Sequence, residues 1–225
     1  MIKEDLLEFL QKNLQFQNPC GPSKTGLYPH QIEWVEQYQT EKNMFWGLSR
    51  QIGATSIMAG ICAWEMLRHD RRCVVTDNAK ILLQVSKIFA DLKADTFLRG
   101  GGIVLRENNS SIVRLVPPCK GYAADLLIIS PDAIEWQERI IDTYRCMRPM
   151  AYMANSKTIV ASLPGTFAMK EFFHDWKQNS LPYLLNDCFK TGMVERYGQD
   201  WFENMQALMT PEEFDREFLC DFTKP

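Results

Sequence analysis

The sequence predicts an α/β protein: a three-layer fold with helices on both faces of a mainly parallel central sheet, followed by a small helical C-terminal part. Three observations predict it. Short, nearly continuous apolar runs such as "MFWGLS", "CVVT", "LLIIS" and "TIVAS" are the kind of strand that is buried on both faces. Between them lie longer segments whose apolar residues return every three or four positions, the spacing of an amphipathic helix. From about residue 183 onward the strand signal stops and only helical patterns remain. Strands alternating with helices in this way build a layered βα architecture.

The elements follow in order. Residues 1 to 14 place Leu6, Leu7, Phe9, Leu10 and Leu14 at helical spacing, and "NPCGPSKTG" breaks the chain before a second helix, "YPHQIEWVEQYQTE". "MFWGLS" is a strand, and "TSIMAGICAWEMLRH" is a helix ending in a basic turn that suits its negative pole. "RCVVTDN" is the next strand, and "NAKILLQVSKIFADLKAD" the next helix, with Leu82, Val85, Ile88, Phe89 and Leu92 on one face. "GIVLREN" and "SSIVRLVP" flank the turn signal Asn108-Asn109 and predict a hairpin. "DLLIIS" and "KTIVAS" are buried strands, each followed by a helix: "PDAIEWQERIIDTYRCM", with Pro131 near its first turn, and "FAMKEFFHDWKQN". At the end, "QDWFENMQALM" and "TPEEFDREFLCDF" are helices, the second opened by the capping box Thr210-Pro211-Glu212-Glu213.

With 225 residues, 46% hydrophobic and 24% charged, the chain can bury a sizeable core. A formal net charge of -3 argues against binding nucleic acid by bulk electrostatics. The cluster Arg68, Arg71 and Arg72 reads either as a solvated helix end or as a face for a duplex. Seven cysteines without a C-x-x-C pair read as free thiols, and three widely spaced histidines give no zinc spacing. The N-terminus lacks the pattern of a secretory leader, and no apolar run approaches the length of a membrane span.

"LSRQIGATS" joins a buried strand to a helix, which is where a phosphate loop would stand. Such a loop works because backbone N–H groups at a helix N-terminus, together with one cation, surround a polyphosphate, while a Ser or Thr hydroxyl ligates magnesium. Gly53 permits close approach of the backbone and Thr55 occupies the magnesium-ligand position. The usual lysine is replaced by Ala54, which leaves Arg50 as the cation of the loop, able to pair phosphate oxygens in a bidentate fashion. The alternative is a strand–turn–helix that binds nothing. Hydrolysis needs a carboxylate at the end of a neighbouring strand. After "LLII" the chain has Ser130-Pro131, with Asp132 and Glu135 following; these two serve either the site or the acidic first turn of a helix.

Four stretches stand in a fixed order: "LYPHQIEWV", "SRQIGATS", "NNSSIVRLVPPCKGYAADLLIIS" and "KTIVASLPGTFAMKEFFHDW". Together they resemble, from about Leu27 to the end, the ATPase domain of the large terminase subunit, the DNA-packaging motor of tailed bacteriophages. The resemblance implies a P-loop NTPase-like (ASCE) domain. It gives Gln31 as the adenine contact and Tyr28 as its stacking neighbour. It gives Ser49, Arg50, Gln51, Gly53, Ala54, Thr55 and Ser56 as the phosphate loop, a variant Walker A motif, with Arg50 acting on the nucleotide. Lys120-Gly121 stands where the family has Arg-Gly, and Ser130 ends the Walker B strand. Ser162, Pro164 and Gly165 form the coupling turn. Catalysis would rest on Arg50, Asp132 and Glu135, and Thr55 would hold Mg2+ beside the ATP.

The expected organisation is an ATPase-like core with N-terminal helices over residues 1–182 and a helical linker subdomain over 183–225, with no room for the family's nuclease domain. The expected function is an ATPase that powers viral DNA translocation into the capsid. Its implied partners are double-stranded DNA, the portal and the small terminase subunit, in a ring formed on assembly, in the host cytoplasm and away from membrane. Because Ser130-Pro131 replaces the family's Asp-Glu, the second reading is a terminase-like pseudo-ATPase acting as a structural or regulatory partner. A helicase-like fragment is the weaker third, for want of a second motor domain.

Overall fold

The computed structural model describes residues 4–16, 24–68, 70–76, 78–115, 122–130 and 137–222. Two helices come first, α1 (Leu6–Asn13) and α2 (Pro29–Thr40), with an antiparallel ribbon of β1 (Gln15–Phe16) and β2 (Lys24–Thr25) between them. The main sheet contains β3 (Asn43–Leu48), β4 (Arg72–Thr76), β5 (Thr96–Arg99), β6 (Gly102–Leu105), β7 (Ser111–Leu115), β8 (Leu126–Ile129), β9 (Lys157–Ser162) and β10 (Tyr183–Asn186). Their spatial order is β10-β3-β9-β8-β4-β7-β6-β5, and the neighbours are parallel from β10 to β7 and antiparallel in the β7-β6-β5 meander. The covering helices are α3 (Ala54–Arg68), α4 (Ala79–Asp91), α5 (Ile140–Met147) and α6 (Phe167–Gln178). The C-terminal segment holds α7 (Met193–Tyr197), α8 (Gln199–Leu208) and α9 (Pro211–Phe214), which runs on into a π-helical turn, Asp215–Leu219.

The central strands alternate with period two, so each serves two cores. On β3, Met44 and Trp46 join the core beneath α1 to α4, while Phe45 joins the one beneath α5 and α6. On β8, Leu126 and Ile128 face the first and Leu127 and Ile129 the second; on β9, Ile159 and Ala161 face the first and Val160 the second. This is the three-layer arrangement the apolar runs predict. α3 is buried along nearly its whole length because α1 covers its outer side, and a Cβ on Gly60 would run into Leu10. The last turn of α2 has no basic residue of its own; Lys157, from the start of β9, donates its ammonium to the carbonyls of Tyr38, Gln39 and Glu41 there.

The structure extends one expectation and corrects another. The expected hairpin is present, β6 pairing antiparallel with β7, and β5 makes it a three-stranded meander by pairing with β6 across Gly100 and Gly101, both left-handed at φ +56° and +77°. β5 has only Phe97 and Leu98 as apolar residues, and none of its four positions is buried, so it carries too short an apolar run to announce it. The sheet also continues past residue 183, because β10 pairs in parallel with β3 as an edge strand. It is four residues long and exposed at Tyr183, too short to carry a periodic signal. The capping box stands as expected, with Glu213 N–H donating to Thr210 Oγ1 (3.2 Å) and Thr210 N–H to Glu213 Oε2 (3.0 Å).

The arginine cluster after α3 is engaged within the protein. Arg68 lies over the Trp64 ring at 4.7 Å, Arg71 reaches Glu65 (3.4 Å) and Asp125 (3.5 Å), and Arg72 lies 3.7 Å from Asp125. Cys62, Cys73, Cys188 and Cys220 are buried free thiols. No described helix is long and apolar enough to cross a membrane.

Candidate functional site

The C-terminal ends of β3, β8 and β9 open on one cleft of about 410 Å³. Residues outside the carboxyl ends of parallel strands are the usual place for a ligand in such a sheet. The loop after β3 is held from both sides. Ser49 N–H donates to the Asn186 carbonyl (3.0 Å) at the end of β10, and Arg50 N–H to the Glu217 carbonyl (2.8 Å) in the π-helical turn. Gln51 and Gly53 are left-handed at φ +62° and +82°, and they reverse the chain into α3. Ile52 is buried, and its carbonyl accepts from His30 Nε2 (3.1 Å) and Gln31 Nε2 (3.0 Å). Gly53 then accepts from Ser56 and Ile57 N–H, both at 3.1 Å, starting the helix. The amides of Ala54 and Thr55 therefore precede the first intrahelical bond, the position from which helix N–H groups bind anions.

Gly53 has no room for a side chain. A Cβ there would lie 2.6 Å from Gln31 Nε2 and 2.7 Å from Phe16 Cε1, on top of a positive φ that L-residues resist. Gly53→Ala is expected to cost about 1–3 kcal/mol, which at this chain length lowers Tm by roughly 2–12 °C. Circular dichroism melts of the two proteins check this.

Of the expected residues, Gln31, Ser49, Arg50 and Gln51 line the cleft, as do Gly53, Ala54, Thr55 and Ser56. Ser130 and Ser162 form its floor at the ends of β8 and β9. Gln31 is fully buried; its Oε1 accepts from Tyr28 N–H (2.9 Å) while its Nε2 braces Ile52, so it fixes α2 to the loop. Arg50 forms an ion pair through Nε with Glu217, whose other carboxylate oxygen accepts from Arg216 Nε (3.0 Å). Ser130 N–H donates to Thr76 Oγ1 (3.0 Å), and its hydroxyl accepts from Asn78 Nδ2 (3.4 Å). Ser162 donates its hydroxyl to the Leu163 carbonyl (2.9 Å).

Tyr28, Pro164 and Gly165 stand behind the lining. The Tyr28 ring is covered by the Arg196 guanidinium, and Gly165 closes a tight turn, its N–H donating to the Leu163 carbonyl (2.9 Å), against Gln137. Asp132, Glu135, Pro131 and the pair Lys120-Gly121 lie outside the described residues. Among the described residues, no carboxylate lines the cleft.

Sequence reasoning missed Lys80, Gln84, Arg196 and Glu217. Lys80 and Gln84 stand four residues apart on the polar side of α4 and reach the cleft together. Asn78, which follows β4 and caps α4 with its side chain, was the available signal for that wall. Arg196 and Glu217 come from a distant segment, and nothing in their local sequence marks them. His30, beside Arg196, is held neutral: burial, opposed by its Ile52 hydrogen bond and aided by the Arg196 charge, lowers its pKa to about 4.

No family model matches the chain, and no curated protein matches its sequence. Solved structures do match its fold. The large terminase of bacteriophage HK97 superposes with a TM-score of 0.68 at 12% identity, over 96% of this chain and 54% of that one. The fold is that of a phage large terminase ATPase domain. The Thermus phage P74-26 terminase ATPase domain gives a TM-score of 0.63 at 14% identity, over 87% of this chain and 94% of the domain. A terminase from a thermophilic bacteriophage, solved in complex with ADP, gives 0.66 at 9% identity over 87% of this chain and 54% of its own. The chain thus spans about half the length of the full large terminases whose fold it matches.

Proposed function

We propose that the chain is a terminase-type ATPase domain that binds Mg-ATP and powers movement of viral double-stranded DNA into a capsid. The observation that carries this is the loop Ser49–Ser56 at the mouth of the cleft, with two helix amides ahead of the first intrahelical bond. The fold likeness supports it, and relatives of the same fold were solved with ADP and with ATP-gamma-S. The amides of Ala54 and Thr55 would take the phosphates, and Arg50 would supply the charge that Ala54 lacks. Lys80 brings a second cation from the α4 wall.

Magnesium fits the donor set in part. The Thr55 hydroxyl opens α3 inside the cleft, and Ser130 supplies a second hydroxyl on the floor. Mg2+ is commonly held by few protein ligands and several waters. When bound, it would neutralise phosphate charge; the chain's own part is to position that charge against the loop. By the same reading, the partners are a portal, a small terminase subunit and further copies in a ring, inside the host cell.

A catalytically impaired form is the second reading. It is favoured by Ser130, whose hydroxyl is bonded to Asn78 where hydrolysis calls for a carboxylate. A positioned base contributes about 10² to 10⁴ in rate.

Saturating Mg-ATP tests binding first. At about 100 times Kd a ligand adds roughly 2.7 kcal/mol, so Tm should rise by about 5–11 °C, and Arg50→Ala should remove most of the rise. No shift at millimolar Mg-ATP overturns the binding proposal. A shift without phosphate release, also in the presence of portal and DNA, selects the impaired form.

A further inference from the structure

We propose that Arg196, supplied by the C-terminal segment, is a nucleotide-binding residue that acts on the base of a purine nucleotide rather than on its phosphates. This rests on the reading of the cleft as a nucleotide site. Arg196 lies on α7, yet it lines the cleft together with Gln31 and Phe16. Its Cζ is 4.2 Å from the centroid of the Tyr28 ring, so the guanidinium covers that ring. Nε donates to the Gly192 carbonyl (3.1 Å), which fixes the plane. Nη2 is buried and has no hydrogen-bond partner.

A buried cationic donor without an acceptor is costly, and an arriving acceptor relieves that cost. The N–H bonds of a guanidinium lie in its own plane, so the acceptor that Nη2 lacks must meet it edge-on and not stacked on its face. The surroundings favour a heterocycle as the carrier of that acceptor. Phe16 meets Tyr28 edge-on at 5.9 Å, His30 stacks on Tyr28 at 5.9 Å, and both Phe16 and Gln31 crowd Gly53. His30 is held neutral, so Arg196 is the cation at this end among the described residues lining the cleft, while Arg50 and Lys80 belong to the loop and the α4 wall. The polar end, with Thr55, Ser130 and Lys80, suits phosphates; the end with Phe16, Gln31 and Arg196 suits a base with ring nitrogens that accept from Nη2.

Calorimetric titration with two ligands, Mg-ATP and magnesium tripolyphosphate, decides the matter on wild type, Arg196→Ala and Arg196→Lys. The expected result is a Kd for Mg-ATP about tenfold weaker in both variants, since an ammonium keeps the charge but loses the plane, with tripolyphosphate binding unchanged. Unchanged tripolyphosphate binding also shows that the variants are folded. Equal loss of both ligands in Arg196→Ala, restored by lysine, would make Arg196 a phosphate cation and overturn the assignment. Unaltered binding of both, with only a lower Tm, would make it structural and overturn it too. If wild type binds neither ligand, the nucleotide reading itself falls; if it binds both with equal affinity, the base adds nothing and the assignment to Arg196 fails alone.

Discussion

Glu217→Gln is expected to tighten Mg-ATP binding by up to about fivefold. In the structure Arg50 has a choice of partners. Its backbone N–H is held by the Glu217 carbonyl, and its side chain is paired with the Glu217 carboxylate. A nucleotide using that guanidinium must first compete it away from the carboxylate. Glu217 is buried but the Arg50 side chain is 57% exposed, so water screens the pair toward the worth of a surface ion pair, about 0.2–1 kcal/mol. One kcal/mol corresponds to roughly fivefold in Kd. Glutamine keeps the shape and can still accept from Arg216, so the turn should survive. In an Arg50→Ala background the same exchange should change nothing, and a double-mutant cycle on Kd isolates the pair. Weaker binding in the single Glu217→Gln variant would mean that the carboxylate positions the arginine for the phosphate instead of withholding it.

Acidification should destabilise the protein through His30 by about 3 kcal/mol between pH 6.5 and 4. The folded protein holds His30 neutral down to about pH 4, because burial outweighs the Ile52 hydrogen bond and Arg196 adds repulsion. An unfolded chain takes up that proton near 6.5. Between the two values the unfolded state binds more protons, so stability falls as the pH falls, and it levels off below about 4. His30 donates Nε2–H to the Ile52 carbonyl in either protonation state, so the loss comes from placing a charge in a buried site beside Arg196 and not from a broken bond. Tm measured across the window should fall by roughly 6–12 °C more in the wild type than in His30→Gln. Parallel curves for the two proteins would show that His30 does not carry the effect.

Much of the core could be read from the chain because burial on both faces leaves a local imprint. A strand such as Leu126–Ile129 must be apolar at every position, and α4 must repeat its apolar residues to cover the sheet. The loop was legible for a similar reason: Gly53 is demanded by a positive φ and by two side chains that press against it. What stayed hidden depends on contacts distant in sequence. β10 is a strand because β3 offers it an open edge, and its four residues carry no periodicity of their own. Glu217 meets Arg50, and Arg196 meets Tyr28, across more than 160 residues of chain, and ordinary charged residues on short helices give no hint of it. That β8 is followed by a serine is plain in the chain, but the bond of Ser130 to Asn78 emerges only in three dimensions.

The route by which the C-terminal segment reaches the loop has a mechanical meaning. Ser49 hangs on the end of β10 through Asn186, Arg50 hangs on the π-helical turn through Glu217, and Cys188 N–H donates to the Phe218 carbonyl (2.8 Å), tying those two supports to each other. Three backbone bonds thus make a closed truss. A pull on the turn loads the start of the loop within one hydrogen bond, with no flexible linker to absorb it. A tug on the tail and a ligand seated on the loop would act on the same few atoms, so work done at one end can be felt as affinity at the other.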